Sequence, residues 1–77
     1  MSKADKLFYD IDYTGIERYS NGVDYISEEG LYENRIGFIE YENYGKVITI
    51  DKDEDFITLK ELQAINEKCK ELRWLDE

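Results

Sequence analysis

The chain has 77 residues, a net charge of -9, no histidine, no proline and one cysteine. Without histidine it lacks the commonest general acid–base residue and metal ligand, and the Ser-His and Cys-His nucleophile pairs go with it. A single cysteine excludes internal disulfides, and a chain this short buries only about 60–65% of the surface its unfolded form exposes, so the core is thin.

In chain order, residues 1–6 are polar and read as loose chain. "LFYDIDY" then alternates, with Tyr9, Ile11 and Tyr13 on one side and Asp10 and Asp12 on the other. That is the period of a half-buried strand. Thr14-Gly15 interrupts it, and "IERYSNGVDYI" reads as a hairpin turning at Asn21-Gly22. "SEEGLYEN" reads as a loop or a single turn, with Ser27 as cap, Glu28 and Glu29 at its positive end, and Gly30 ending it. "RIGFIEYE" is a strand with Ile36, Phe38 and Glu40 on one side and Gly37, Ile39 and Tyr41 on the other. "NYG" supplies a turn in which Gly45 can take a positive φ, and "KVITI" is a β-branched strand.

The last segment, residues 58–74, carries helical spacing: Leu59, Leu62, Ile65, Cys69 and Leu72 fall on one face. Lys60, Gln63, Glu67, Lys68, Lys70 and Glu71 then face water. Thr58 and Glu61 form a capping box, Ile57 and Leu62 a hydrophobic staple, and Phe56 joins the core. Cys69 reads as a small core residue. Trp74 reads as a cover over an edge of the core, or as an exposed anchor for a partner. The expected fold is a single α+β domain over residues 1–77. A small antiparallel meander of three to four strands fills residues 7–51, and one C-terminal helix packs on one face of it.

The charge is uneven. Glu17 to Asp55 holds eleven acids against Arg18, Arg35, Lys46 and Lys52, a net charge of -7. Tyrosines interleave with these acids, and a rigid ring with a polar tip suits a binding surface. The candidate surface comprises Asp10, Asp12, Asp24, Glu28, Glu29 and Glu33, then Glu40, Glu42, Asp51, Asp53, Glu54 and Asp55, with Tyr32, Tyr41 and Tyr44 as its aromatic part. Such a surface repels nucleic acid and attracts basic protein.

The expected role is non-enzymatic: an inhibitor that binds a nucleic-acid-handling protein by standing in for the phosphate backbone. Inhibitors of that kind occur in conflicts between phages and bacterial defences. No catalytic residue, cofactor or specific metal site is expected. The alternatives are a structural or regulatory homo-oligomer, joined through Ile39 and Tyr41 or Ile48 and Ile50, whose acidic surface serves only solubility, and a weak divalent-cation module at Asp51–Asp55. "DKDED" opens like an EF-hand loop, but position 6 is Phe56 where glycine is needed and position 12 is Leu62 where glutamate is needed. No apolar run approaches the roughly 18 residues of a membrane span, and the chain reads as soluble and cytoplasmic.

Overall fold

Ser2 starts the first element. Its hydroxyl accepts a hydrogen bond from the Asp5 amide at 3.1 Å and caps helix α1, Lys3–Asp10. The computed structural model describes residues 1–29 and 31–75, with the side chain of Glu29 left aside. Within it, β1 (Gly15–Tyr19), β2 (Gly22–Glu29), β3 (Tyr32–Tyr41) and β4 (Gly45–Asp51) follow α1, and α2 spans Leu59–Glu71. The four strands form one antiparallel meander in the order β1-β2-β3-β4. The expected α+β fold is therefore present, with one helix more than expected.

Helix α1 replaces two expectations, the loose residues 1–6 and the strand over "LFYDIDY". The helical period is present in Ala4, Leu7, Phe8 and Ile11, of which Ala4 and Phe8 are fully buried while Tyr9 is exposed. The chain leaves α1 through Asp12, held at φ 75°, a left-handed conformation open to aspartate. Tyr13 then turns into the core.

Both helices cover the same face of the sheet. The core joins Phe8, Tyr13, Val23, Tyr25, Ile36 and Phe38 to Ala64, Ile65 and Cys69. Phe8 stacks on Tyr25 with ring centroids 4.0 Å apart. Burial pushes the Tyr25 hydroxyl well above its usual range, and its hydrogen bond to Asp5 at 2.5 Å adds to the shift.

Helix α2 starts as expected, with both halves of the Thr58–Glu61 capping box formed. Its buried face is rotated from the expected stripe. Glu61, Ala64, Ile65, Lys68 and Cys69 are buried, whereas Leu59 and Leu62 are exposed. The rotation follows from polar partners waiting inside. Lys68 Nζ donates to Glu71 at 2.6 Å and lies 5.6 Å from the centre of the Tyr25 ring. The helix ends at Glu71, short of residue 74. Arg73 takes φ 61°, and the Trp74 amide returns to the Cys69 carbonyl at 2.8 Å. This bend brings Trp74 back against Phe38, at 6.1 Å between centroids. Trp74 covers the core edge. Phe56 does not join the core: it is 59% exposed, with the Lys52 ammonium 5.4 Å from its ring centre.

Two turns differ from the sequence pattern and one matches it. The β1–β2 loop is Ser20-Asn21, since Tyr19 pairs with Gly22. Gly22 is needed for space rather than for φ, because a Cβ there would collide with the Phe38 carbonyl of the neighbouring strand. Ser27, Glu28 and Glu29 belong to β2 rather than to a loop, while Gly30 lies outside the described residues. Gly45 does carry the positive φ of the β3–β4 turn, at 76°. Among the described residues, no helix is long and apolar enough to cross a membrane.

Candidate functional site

The sheet has a second face, and among the described residues no helix covers it. Antiparallel pairing sets side chains across this open face in rows. One row is Glu17–Asp24–Gly37–Thr49, and the next is Gly15–Ile26–Arg35–Asp51. Beyond them, Glu28 pairs with Glu33 at one end, and Tyr19, Gly22, Ile39 and Val47 form the row toward the other. Ile39 is buried although it lies on this face.

Arg35 organises the centre. Its Nε donates to Glu33 at 2.8 Å, and its Nη1 reaches Asp24 at 3.0 Å, Glu17 at 3.3 Å and the Tyr19 hydroxyl at 3.3 Å. The Tyr19 hydroxyl lies within donating distance of Glu17 and, at 2.9 Å, of Asp24 Oδ2. Its hydrogen bond to Glu17 is the main reason its pKa is pushed up to about 12. The hydroxyl of Tyr19 and the Arg35 guanidinium together hold Glu17 below the usual carboxylate range. The three carboxylates in turn raise Arg35 above its ordinary value, led by the hydrogen bond to Glu33.

Beside this network the acids gather at one end of the sheet. Asp12 and Glu28 border one hollow with Thr14, Gly15 and Ile26. Asp51 accepts from the Tyr32 hydroxyl at 3.0 Å, which raises the Tyr32 pKa. Asp53, Glu54 and Asp55 follow directly in the connection to α2, and the Asp53 amide is fixed by Asn34 Oδ1 at 3.0 Å. The one lysine in this stretch faces inward: the Lys52 side chain is 4% exposed. Its Nζ donates to Glu61 at 2.7 Å and to the Phe56 carbonyl at 2.9 Å, with Glu54 at 3.8 Å. Arg35 and Lys52, the cations of this end, are thus engaged by the chain's own carboxylates. Among the described residues, Asp12, Glu28, Asp53 and Asp55 make no ion pair.

The structure therefore divides the expected surface. Asp12, Asp24, Glu28, Glu33, Asp51, Asp53, Glu54, Asp55 and Tyr32 share the open face and its acidic end. Glu40 pairs across strands with Lys46 at the opposite end, near Glu42 in the β3–β4 turn. Tyr41 and Tyr44 are there too, packed edge to face at 6.3 Å. Asp10 belongs to the helical layer, where it meets Lys6 at 3.1 Å. The side chain of Glu29 is outside the described atoms. The sequence reading left out Glu17, Tyr19 and Arg35. Their signal was the hairpin itself, which sets Glu17 opposite Asp24 once Tyr19 is paired with Gly22.

No family model matches this chain, and no curated protein or solved structure is significantly similar to it. The arrangement must be read from its own chemistry. Among the described residues, no three histidine, cysteine, aspartate or glutamate side chains converge as a metal site would require. Cys69 is buried, and burial pushes its thiol up, away from the reactive thiolate. What remains is a flat, polar, rigidly networked face with an anionic end.

Proposed function

We propose that this chain is a small, non-enzymatic cytoplasmic protein whose open sheet face and acidic end bind a basic protein surface. Its most concrete role is to inhibit a nucleic-acid-handling protein as a mimic of the phosphate backbone, in the manner of phage anti-defence inhibitors. One observation carries the reading: Lys52 and Arg35 are held by internal carboxylates, so the acidic end presents anions with few competing cations. A solubilising surface has no need of that segregation, since interspersed charges of both signs serve as well. A single-sign patch steers a basic partner into place.

The experiment is capture from host lysate, followed by competition. The wild-type chain is expected to retain a DNA- or RNA-binding protein at about 50 mM salt and to release it at about 500 mM, because exposed charges are screened within roughly 8 Å even at physiological ionic strength. Added duplex DNA should displace that protein. The variant Asp51→Lys/Asp53→Lys/Asp55→Lys should lose capture while keeping the wild-type circular dichroism, since all three residues are exposed. An empty capture at low salt would sink the proposal.

A second reading, self-association, has its own observation. Edge strand β4 exposes Ile48 at 39% and Ile50 at 47% on the helix-bearing face, opposite the buried Phe38 and Ile36 of β3. An unpaired apolar edge is a template for another strand. Sedimentation equilibrium tests it: a mass that stays monomeric at every concentration rules it out, and a dimer lost in Ile48→Lys supports it.

A further inference from the structure

Gly37 sits in the middle of β3 and faces the open side, where a strand would ordinarily carry a side chain. Glycine in a strand interior weakens the strand and often marks a point of close approach by another group. Here the space above Gly37 is already shaped. A Cβ on Gly37 would collide with Asp24 Oδ1 from one side and Thr49 Oγ1 from the other, both closer than the 3.0 Å that real Cβ atoms keep. The two oxygens therefore converge on one point over the glycine, and one donor placed just above it can reach both.

The rest of the network leaves these two atoms out. Arg35 and Tyr19 both engage Asp24 through Oδ2. Among the described residues, neither Asp24 Oδ1 nor the Thr49 hydroxyl has a hydrogen-bond partner. The Asp24 carboxylate is held in place by Arg35 and Tyr19 and is only 14% exposed. Its free oxygen is thus preorganised, at the centre of a face whose other charged groups, among the described residues, are Glu17, Glu28, Glu33, Asp51 and the single cation Arg35.

We propose that the Asp24 Oδ1 and Thr49 hydroxyl oxygens that meet above Gly37 together receive one cationic side chain of the basic partner, a lysine ammonium or an arginine guanidinium. This rests on the reading of the open face as a surface for basic protein. The occupant follows from the chemistry: two acceptors, one of them charged, call for a donor with at least two hydrogens and a positive charge. An anchor at the centre of a patch, ringed by weaker contacts that exclude water once the partner is seated, is the usual form of a binding hot spot.

The test uses a deca-lysine and a deca-arginine peptide as probes, titrated calorimetrically at low salt against the whole chain. Thr49→Val removes one acceptor and keeps shape and charge. Gly37→Ala places a methyl against both oxygens and forces them apart. Both variants are expected to bind at least one probe about tenfold more weakly than wild type, the scale of a lost charge-assisted contact. Their thermal midpoints check that the fold persists. Glu42→Gln, at the far end of the sheet, should leave affinity nearly unchanged. Wild-type affinity for both probes in Thr49→Val and Gly37→Ala, alongside weakened binding in Asp51→Lys/Asp53→Lys/Asp55→Lys, would overturn this anchor and spare the acidic face. No binding of either probe by the wild-type chain would overturn both.

Discussion

Replacing Glu61 with alanine is expected to remove about 3–5 kcal/mol of stability, the usual loss when one partner of a buried ion pair is deleted. Glu61 has a side chain 7% exposed and Lys52 one 4% exposed, so neither charge can turn to water without moving structure. Glu61 also accepts from the Tyr13 hydroxyl at 2.6 Å and from the Thr58 amide at 2.7 Å. Its loss would take the carboxylate away from a buried ammonium and a buried hydroxyl, and would remove the half of the capping box that satisfies the Thr58 amide. Small domains sit near the low end of a range of about 5–15 kcal/mol, so this one change approaches the whole stability. At roughly 4–8 °C per kcal/mol for a domain of this size, the thermal midpoint should fall by at least about 12 °C. Urea unfolding followed by Trp74 fluorescence measures it, and a loss below about 1 kcal/mol would contradict the pairing. The double variant Lys52→Met/Glu61→Leu is expected to be more stable than Glu61→Ala alone, because it leaves no orphan charge.

The same site sets the response to acid. Burial by itself would raise the Glu61 pKa, but the hydrogen bonds from Lys52, Tyr13 and the Thr58 amide outweigh it and hold the carboxyl below its ordinary 4.5. Asp5 and Glu71 are likewise held low against burial, Asp5 by Tyr25 and Glu71 by Lys68. A folded pKa below the unfolded one means stability that is complete above the unfolded value and is lost as pH falls through the folded value. The protein should therefore be most stable above about pH 4.5 and lose stability below it, with a flatter acid limb in Glu61→Gln.

Phe8→Ala is the second large expectation, a loss of about 3–5 kcal/mol. The ring is fully buried, stacked on Tyr25, and edge-on to Tyr13 at 5.9 Å and Phe38 at 6.0 Å. Little can collapse into the space it leaves, because α1 hangs on the sheet through this ring and the Asp5–Tyr25 hydrogen bond. Tyr9→Ala should change stability by no more than about 0.5 kcal/mol, as an exposed side chain away from any cap or ion pair. The contrast separates a helix from a strand directly. In a strand over residues 7–13, Tyr9 would face inward and Phe8 outward, and the two results would be exchanged.

That segment shows how two periods can overlap. "LFYDIDY" alternates perfectly, and the same residues read with Ser2, Ala4 and Asp5 give a capped helix. Seven residues are too few for either period to win. What decided it was the ring of Phe8 against Tyr25, a contact between residues far apart in the chain. Helix α2 presents the same problem in milder form. Its start was legible because capping is a bond between residues three apart. Its buried face was not, because Leu59 and Leu62 are the more apolar choice and yet Glu61 and Lys68 go inside. Only the positions of Tyr13, Lys52 and Tyr25 make those two charges acceptable there. The acidic surface was legible as composition and illegible as shape. Nothing local announces that Lys52 turns inward, or that Glu40 and Glu42 lie at the other end of the sheet from Asp51.

By itself, then, the sequence determined what is short-range: the alternation of β3 and β4, the positive φ of Gly45, the capping box at Thr58, and a net charge of -9. Local bonds and side-chain period settle such features without reference to the rest of the chain. The tertiary structure alone decided the identity of α1, the face that α2 buries, and the meeting of Glu17, Asp24 and Glu33 around Arg35. Each of these depends on partners brought together by folding, up to 48 residues apart in the case of Tyr13 and Glu61. In so thin a core, one such buried contact outweighs the local preference of the residues that make it.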